Sequence, residues 1–226
     1  MARNLDINEL NKKFTDSDME EIIRTGHEFR KLMSYYKCAM MEIETKLNVL
    51  NEEFSLRYDR QPISSIKTRL KRPMSIQGKL KKHGYGMSVE NIEKHIQDVA
   101  GVRVICSFID DVYMLADALK SQDDITVIRE KDYIESPKDN GYRSLHLIVA
   151  VPIFLQDEKR IMNVEVQIRT IAMDFWASLE HKMRYKKNIS PEKLGEISAE
   201  LTACAHLSAS LDERMQAVRD RILEDE

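Results

Sequence analysis

The sequence predicts an α/β fold in which a sheet packs on helices and a long helix stands at each end of the chain. Three observations predict it. Across residues 59–187 the hydrophobic period switches between two and 3.6, so Val- and Ile-rich runs alternate with amphipathic stretches. Both flanks instead keep an apolar spacing of alternating fours and threes, the mark of long helices. Only seven glycines and five prolines occur in 226 residues, too few for long unstructured linkers. The expected organisation is an N-terminal helical region (1–58), a core (59–187) and a C-terminal helix (188–226) suited to oligomerisation.

The first helix is expected from 17 to 58, with Asp16 or Ser17 as its cap. Its stripe is Phe29, Met33, Tyr36, Met40, Ile43, Leu47, Leu50 and Phe54. Helices are expected over 64–83 and 89–97, a buried strand over 102–108, and a helix over 110–121. The runs 125–133, 143–153 and 162–170 are rich in β-branched residues and read as strands. The polar segment 154–161 reads as a hairpin connection, followed by a helix from Ile171 to about 187. The last helix, 191–223, opens on Pro191, a residue favoured in a first helical turn. It carries Ile197, Leu201, Cys204, Ser208, Leu211, Met215, Val218 and Ile222 at the same four-three spacing. Each terminal helix can pack on its own domain or meet a sister subunit.

Charge is distributed unevenly. Residues 60–89 hold Arg60, Lys67, Arg69, Lys71, Arg72, Lys79, Lys81 and Lys82 and no acid, whereas the whole chain has net charge −3. Such focusing suits a polyanionic ligand. No apolar run approaches the roughly 20 residues of a membrane-spanning helix, and the first residues lack a signal-peptide pattern. Cys38, Cys106 and Cys204 are odd in number and far apart, which fits reduced thiols in a cytoplasmic protein.

Several catalytic signatures are missing. There is no GxxxxGK[ST], HExxH, GxSxG or His-Asp dipeptide, and Gly84-Tyr85-Gly86 lacks the third glycine of a dinucleotide fingerprint. Three stretches carry chemistry instead. In the strand 162–170, Asn163, Glu165, Gln167 and Arg169 share one face while Val164, Val166 and Ile168 share the other. That polar face is either a solvated sheet surface or the floor of a site. Asp98 precedes the strand 102–108, where an Asp can be a turn residue; opposite a second carboxylate it can share Mg²⁺, a hard ion that takes a few carboxylates plus phosphate oxygens. The segment 137–146 sets Lys138, Tyr142 and His146 around a turn marked by Asp139, Asn140 and Gly141.

Four stretches, TRLKRPMSIQGKL (68–80), DVAGVRVICSFIDDVY (98–113), REKDYIESPKDNGYRSLHL (129–147) and VEVQIRTIAMDFWASLEHK (164–182), together resemble the synthetase domain of RelA/SpoT homologues. More closely, the chain resembles stand-alone small alarmone synthetases of the RelP-like branch. The resemblance implies a mixed five-stranded sheet of nucleotidyltransferase-like fold. It implies transfer of pyrophosphate from ATP to the 3′-hydroxyl of GDP or GTP with Mg²⁺, and homotetramers. It assigns Arg69 and Arg103 to adenine, and Lys71, Ser75, Lys79 and Lys82 to the ATP phosphates. Asp98 matches the Mg²⁺ ligand, and Glu165 the carboxylate that assists the acceptor hydroxyl and reaches the metal. Tyr142 matches the residue stacked on guanine; Lys131, Lys138 and His146 match acceptor contacts, with Gln167 and Asp174 on the acceptor side. The Arg129-x-Lys131-Asp132 sequence follows the form of bifunctional members, although a hydrolase domain is absent from the sequence, so alarmone degradation is expected to fall to another protein.

Elementary electrostatics agrees with this assignment. At ~4 Å and an effective dielectric of about 20, each like-charge pair of phosphates costs about 4 kcal/mol. Two nucleotide polyphosphates therefore need the cationic tract, Arg103, Lys131, Lys138 and a metal ion between them. The cationic tract alone is also compatible with a catalytically weakened regulator that binds nucleotide or RNA, although RNA binding is not expected. Transfer to a different acceptor is a further alternative, and a purely structural helical oligomeriser leaves the clustered charges unexplained.

Overall fold

The computed structural model describes residues 16–58, 60–184 and 191–224. Helix α1 (Asp16–Tyr58) is followed by strand β1 (Ile63–Leu70), helices α2 (Pro73–Lys82) and α3 (Val89–His95), strand β2 (Ala100–Cys106) and helix α4 (Ile109–Lys120). Strands β3 (Thr126–Asp132), β4 (Leu145–Phe154) and β5 (Lys159–Thr170) come next, then α5 (Ile171–Arg184) and α6 (Pro191–Glu224). The five strands form one mixed sheet in the order β1-β2-β5-β4-β3. Only the β2–β5 pairing is parallel; the others are antiparallel.

One strand differs from the sequence expectation. Residues 64–83 read as one helix, yet 63–70 form the edge strand β1, which completes the five-stranded sheet that the family resemblance implies. The physical reason is local. Ile66, Thr68 and Leu70 alternate with Lys67 and Arg69, a period of two, and Ile and Thr favour a pleated strand. Pro73 then holds Arg72 in extended backbone (φ −66°, ψ 144°) and starts α2 at its own first turn. The other elements fall where periodicity predicts, with ends shifted by a few residues.

The core lies between the sheet and α1 with α4. Val102, Val104, Leu145, Leu147, Val149, Val164, Val166 and Ile168 point to this side and are buried, as are Ile43, Leu47 and Leu50 of α1. The two terminal helices thus resolve differently. The α1 stripe packs on its own sheet, with Tyr36, Met40 and Phe54 also in the core. Helix α6 instead faces its own chain through Leu201, Ala205, Ser208, Asp212 and Arg219. Its Leu211, Met215, Val218 and Ile222 stay about half exposed, its Leu207 more so (71%), as does Phe175 (65%) of α5. Among the described residues, no helix is long and apolar enough to cross a membrane.

Polar ties fix α6 to α5 and to the end of β5. Trp176 Nε1 donates to the Leu201 carbonyl (2.8 Å), Ser208 Oγ to the Ala172 carbonyl (3.1 Å) and Thr170 Oγ1 to Asp212 Oδ2 (2.5 Å). Burial pushes the Asp212 carboxyl up, more than the Thr170 hydrogen bond and the Arg143 charge bring it down. A carboxyl whose native pKa is raised holds its proton more tightly when folded, so its ionisation costs stability as pH rises through the native value. Asp212→Asn keeps the acceptor for Thr170 and cannot ionise. Thermal melts should show the variant at least as stable as the wild type near about pH 8. That advantage should shrink as pH falls below the raised native value and vanish only below the ordinary aspartate range, where the carboxyl is protonated in the folded and unfolded chains alike.

Candidate active site

The face of the sheet turned away from the core is polar, and strand register arranges it in rows. One row crosses all five strands as Lys67, Arg103, Gln167, His146 and Lys131. The adjacent row is Arg69, Gly101, Glu165, Ile148 and Arg129. Because β5 is central, Glu165 and Gln167 sit mid-sheet with cations toward both edges. Gly101 stands opposite Glu165 with no side chain to fill the space above it.

Asp98 enters from the bend between α3 and β2, beside the segment joining β1 to α2. The Lys71 amide donates to the Val99 carbonyl (2.8 Å), which ties the two segments together. Asp98 Oδ2 lies 2.5 Å from Lys71 Nζ and 2.8 Å from Lys79 Nζ. Burial pushes this carboxyl up, but Lys71 and Lys79 together outweigh it and hold Asp98 below the usual aspartate range. Its other oxygen, Oδ1, is buried and has no hydrogen-bond partner among the described residues.

Glu165 is held by an amide and a histidine. Gln167 Nε2 donates to Glu165 Oε2 (2.9 Å), and His146 Nδ1 lies 3.5 Å from Glu165 Oε1. Burial raises this carboxyl, His146 and then Gln167 lower it, and the balance lies below the usual glutamate range; the nearby charge of Asp98 opposes that lowering. Both acids therefore stand ionised in the free protein.

Two cavities open over this floor. The first, about 430 Å³, is walled by Lys67, Arg69, Lys71, Arg103 and Gln167 among others. The second, about 240 Å³, is walled by Lys79, Gln97, Arg129, Lys131, Tyr133, Lys138 and His146. They share two residues, Asp98 and Glu165. Two cationic chambers thus meet at two carboxylates, an arrangement that can hold two polyanions with their reacting ends together.

The remaining predicted residues fall around these chambers. Tyr142 lies behind the second one, its hydroxyl 2.9 Å from His146 Nε2, and Lys138 Nζ sits 4.4 and 4.8 Å from the rings of Tyr133 and Tyr142. Asp174 lies outside both cavity walls, on Lys67 (3.2 Å), Arg103 (3.6 Å) and Arg169 (3.6 Å). Ser75 and Lys82 are exposed on α2, also outside both walls. Residues given no site role from sequence include Lys67, Arg129 and Arg169, which enter there only through the cationic tract, a motif and a strand face, and Gln97 and Tyr133, which do not enter at all. Period-two alternation over 63–70 was the available signal for Lys67, obscured by reading that stretch as helix.

The donor set suits a hard divalent cation. Asp98 offers an unpartnered buried oxygen and Glu165 a second carboxylate on the same two cavities, while no cluster of three or more His, Cys, Asp or Glu exists among the described residues. Mg²⁺ commonly takes one or two carboxylates and completes its shell with phosphate oxygens and water, so these two acids fit it.

A family model described as "Region found in RelA / SpoT proteins" matches residues 68–190, which supply every residue of both chamber walls but Lys67. The chain belongs to the RelA/SpoT family. Among relatives in this family, GTP pyrophosphokinase YwaC of Bacillus subtilis is 39% identical over 90% of this chain and 96% of its own. GTP pyrophosphokinase YjbM of the same organism is 33% identical over 87% and 91%. The fold agrees as well: small alarmone synthetase 1 of Bacillus subtilis, solved bound to its product pppGpp, superposes with a TM-score of 0.76 at 33% identity, covering 86% of this chain and 97% of that one.

The turn that presents Tyr142 is tightly built. Gly141 has φ +84°, and a Cβ there would stand 2.4 Å from Ala205 Cβ of α6. Gly141→Ala should destabilise the protein by at least about 1–2 kcal/mol from the left-handed backbone alone, with the clash adding to it. Ala205→Gly in the same chain should restore only the clash component. Urea titration of the two variants would separate these contributions.

Proposed function

We propose that the protein is a GTP diphosphokinase that transfers pyrophosphate from ATP to the 3′-hydroxyl of GDP or GTP, releasing AMP and forming ppGpp or pppGpp. One observation carries this reading: two cation-walled cavities have Asp98 and Glu165 as their common residues. The family and its named GTP pyrophosphokinases support the same activity.

In this reading ATP occupies the larger chamber. Arg69 and Arg103 hold the adenine between planar cations, a contact lysine makes poorly. Lys71 of this chamber and three residues of α2, Lys79 at the border with the smaller chamber together with Ser75 and Lys82, hold the triphosphate. In the free protein Asp98 pairs with both Lys71 and Lys79 and leaves one net positive charge, so arriving phosphates meet cations already partly engaged. The acceptor occupies the smaller chamber, its phosphates on Lys131, Lys138 and His146 and its guanine against Tyr142. Gln167 borders the junction, and Asp174 reads the N1–H and 2-amino group of guanine after release from its cations.

The acceptor's 3′-oxygen attacks the β-phosphorus of ATP. The bond from that phosphorus to the oxygen bridging the α- and β-phosphates breaks, and AMP leaves with the bonding electrons. Glu165 orients the hydroxyl and takes its proton as the new bond forms. Asp98 and Glu165 would hold Mg²⁺, which supplies charge neutralisation of the phosphate oxygens and a lower hydroxyl pKa.

The same reading assigns residues 59–187 to synthesis and 188–226 to assembly. The exposed apolar stripe of α6 suits contacts within a homotetramer, and the working compartment is the cytoplasm.

Product formation from labelled ATP and GTP, resolved by chromatography, tests the assignment. Asp98→Ala and Glu165→Ala should each lower turnover by about 10²–10⁴-fold with unchanged far-UV circular dichroism, and chelation by EDTA should abolish it until Mg²⁺ is returned. Near-wild-type turnover in either variant refutes the assignment. Tyr142→Ala should raise KM for GTP far more than KM for ATP, as steady-state kinetics with each nucleotide varied in turn would reveal; equal effects count against stacking on guanine.

A further inference from the structure

Arg169 ends the polar face of β5 that carries Glu165 and Gln167. It is 2% exposed and the largest fully buried side chain of the described residues. Burying a guanidinium is costly unless strong partners compensate it. Here compensation is thin: Asp174 Oδ1 lies 3.6 Å away and is shared with Arg103, while Arg169 Nε has no hydrogen-bond partner. An apolar side chain of similar length would suit the fold at least as well. What the guanidinium does hold is an amide, since Arg169 donates to Gln167 Oε1 at 2.8 Å.

That bond has a directional consequence. A guanidinium has only donors, so Gln167 must turn its carbonyl oxygen to Arg169 and its amino group the other way. The amino group then meets Glu165 Oε2 at 2.9 Å, which leaves Oε1 toward His146. His146 in turn contacts the Tyr142 hydroxyl, and the Tyr142 ring lies 5.6 Å from the Arg169 guanidinium carbon. The five side chains close a ring: Arg169, Gln167, Glu165, His146, Tyr142.

We infer that Arg169 is a positioning residue for the acceptor: it locks the Gln167 carboxamide so that Glu165 keeps one carboxylate oxygen toward the incoming hydroxyl, and it backs the ring of Tyr142. The inference rests on the pyrophosphate-transfer reading above. Without the guanidinium, Gln167 is free to flip and aim its carbonyl at Glu165, where like dipoles drive the carboxylate off its station. In the donor chamber Arg69 and Lys71 have no contact with Arg169, and Arg103 retains Asp174.

A double-mutant cycle of Arg169→Met and Gln167→Leu, assayed with labelled ATP and GTP, tests this. Arg169→Met should lower kcat by about 10–100-fold, the loss typical when an outer-shell partner of a ligating group is removed, and raise KM for GTP more than KM for ATP. The double variant should be no worse than the poorer single one, because both substitutions break the same relay. Arg169→Lys, which retains a donor but not the planar fork, should recover part of kcat. If Arg169→Met melts below the assay temperature, the cycle run with Arg169→Lys decides by the same criterion. Losses that multiply, or a wild-type kcat in the Arg169 variant, overturn the inference. A wild-type chain that forms no labelled alarmone overturns the underlying reading instead, so the two failures are distinguishable.

Discussion

Strand β5 is bonded on both sides, and the site depends on that insertion. It runs parallel to β2 and antiparallel to β4, so its outward residues occupy the middle of the sheet rather than an edge. The inward residues Val164, Val166 and Ile168 are fully buried against α1 and α4. Side-chain period two then leaves no freedom: if the valines face the core, Glu165 and Gln167 face the cavities. A slip of one residue would bury both polar groups and expose the apolar ones. The hydrophobic effect that stabilises the fold thereby also sets where the central carboxylate stands.

Electrostatic balance is the second constraint. Asp98 and Glu165 are close enough to repel, yet each sits in the free protein among groups that favour its ionised form. For Asp98 these are lysines, and for Glu165 a histidine and an amide. The difference matters. Asp98 is held ionised by two full positive charges, whereas Glu165 is held ionised by His146 and Gln167. The floor is thus polarised across only a few residues, with two lysines on Asp98 and milder donors around Glu165.

Much of this was legible in the chain before any coordinates. Alternation in 162–170 put Glu165 and Gln167 on one face, the apolar run 102–108 gave β2, and the acid-free tract announced a polyanion site. The site residues Asp98, Lys71, Lys79, Arg103, Lys131, Lys138 and His146 were nominated from the family resemblance. What remained hidden has physical causes. In 63–70 the polar residues Ser64, Ser65, Lys67 and Arg69 dilute the strand signal, and the helix that follows seemed to extend backward through them. The pairing of Asp174 with Lys67, Arg103 and Arg169 brings together residues from three strands and a helix, and the role of Arg169 depends on which atom of Gln167 it meets. Local periodicity carries no information of either kind. The four-three spacing of α6 was likewise visible, but whether its stripe turns inward depends on Gly141, Trp176 and Asp212 holding the opposite face.

Strand β3 has a second consequence. It lies at the edge of the sheet, pairs only with β4, and is interrupted by a bulge between Val127 and Arg129. Its exposed residues include Val127 and Ile128, followed by Arg129, Glu130 and Lys131. Bulges and charged side chains are the means by which natural sheets prevent edge-to-edge aggregation. The cations that wall the smaller cavity therefore also guard an otherwise adhesive border. Neutralising Arg129 and Lys131 together would strip this protection from a β-branched edge, so poor soluble yield of such a variant would report self-association of strands rather than anything about nucleotides.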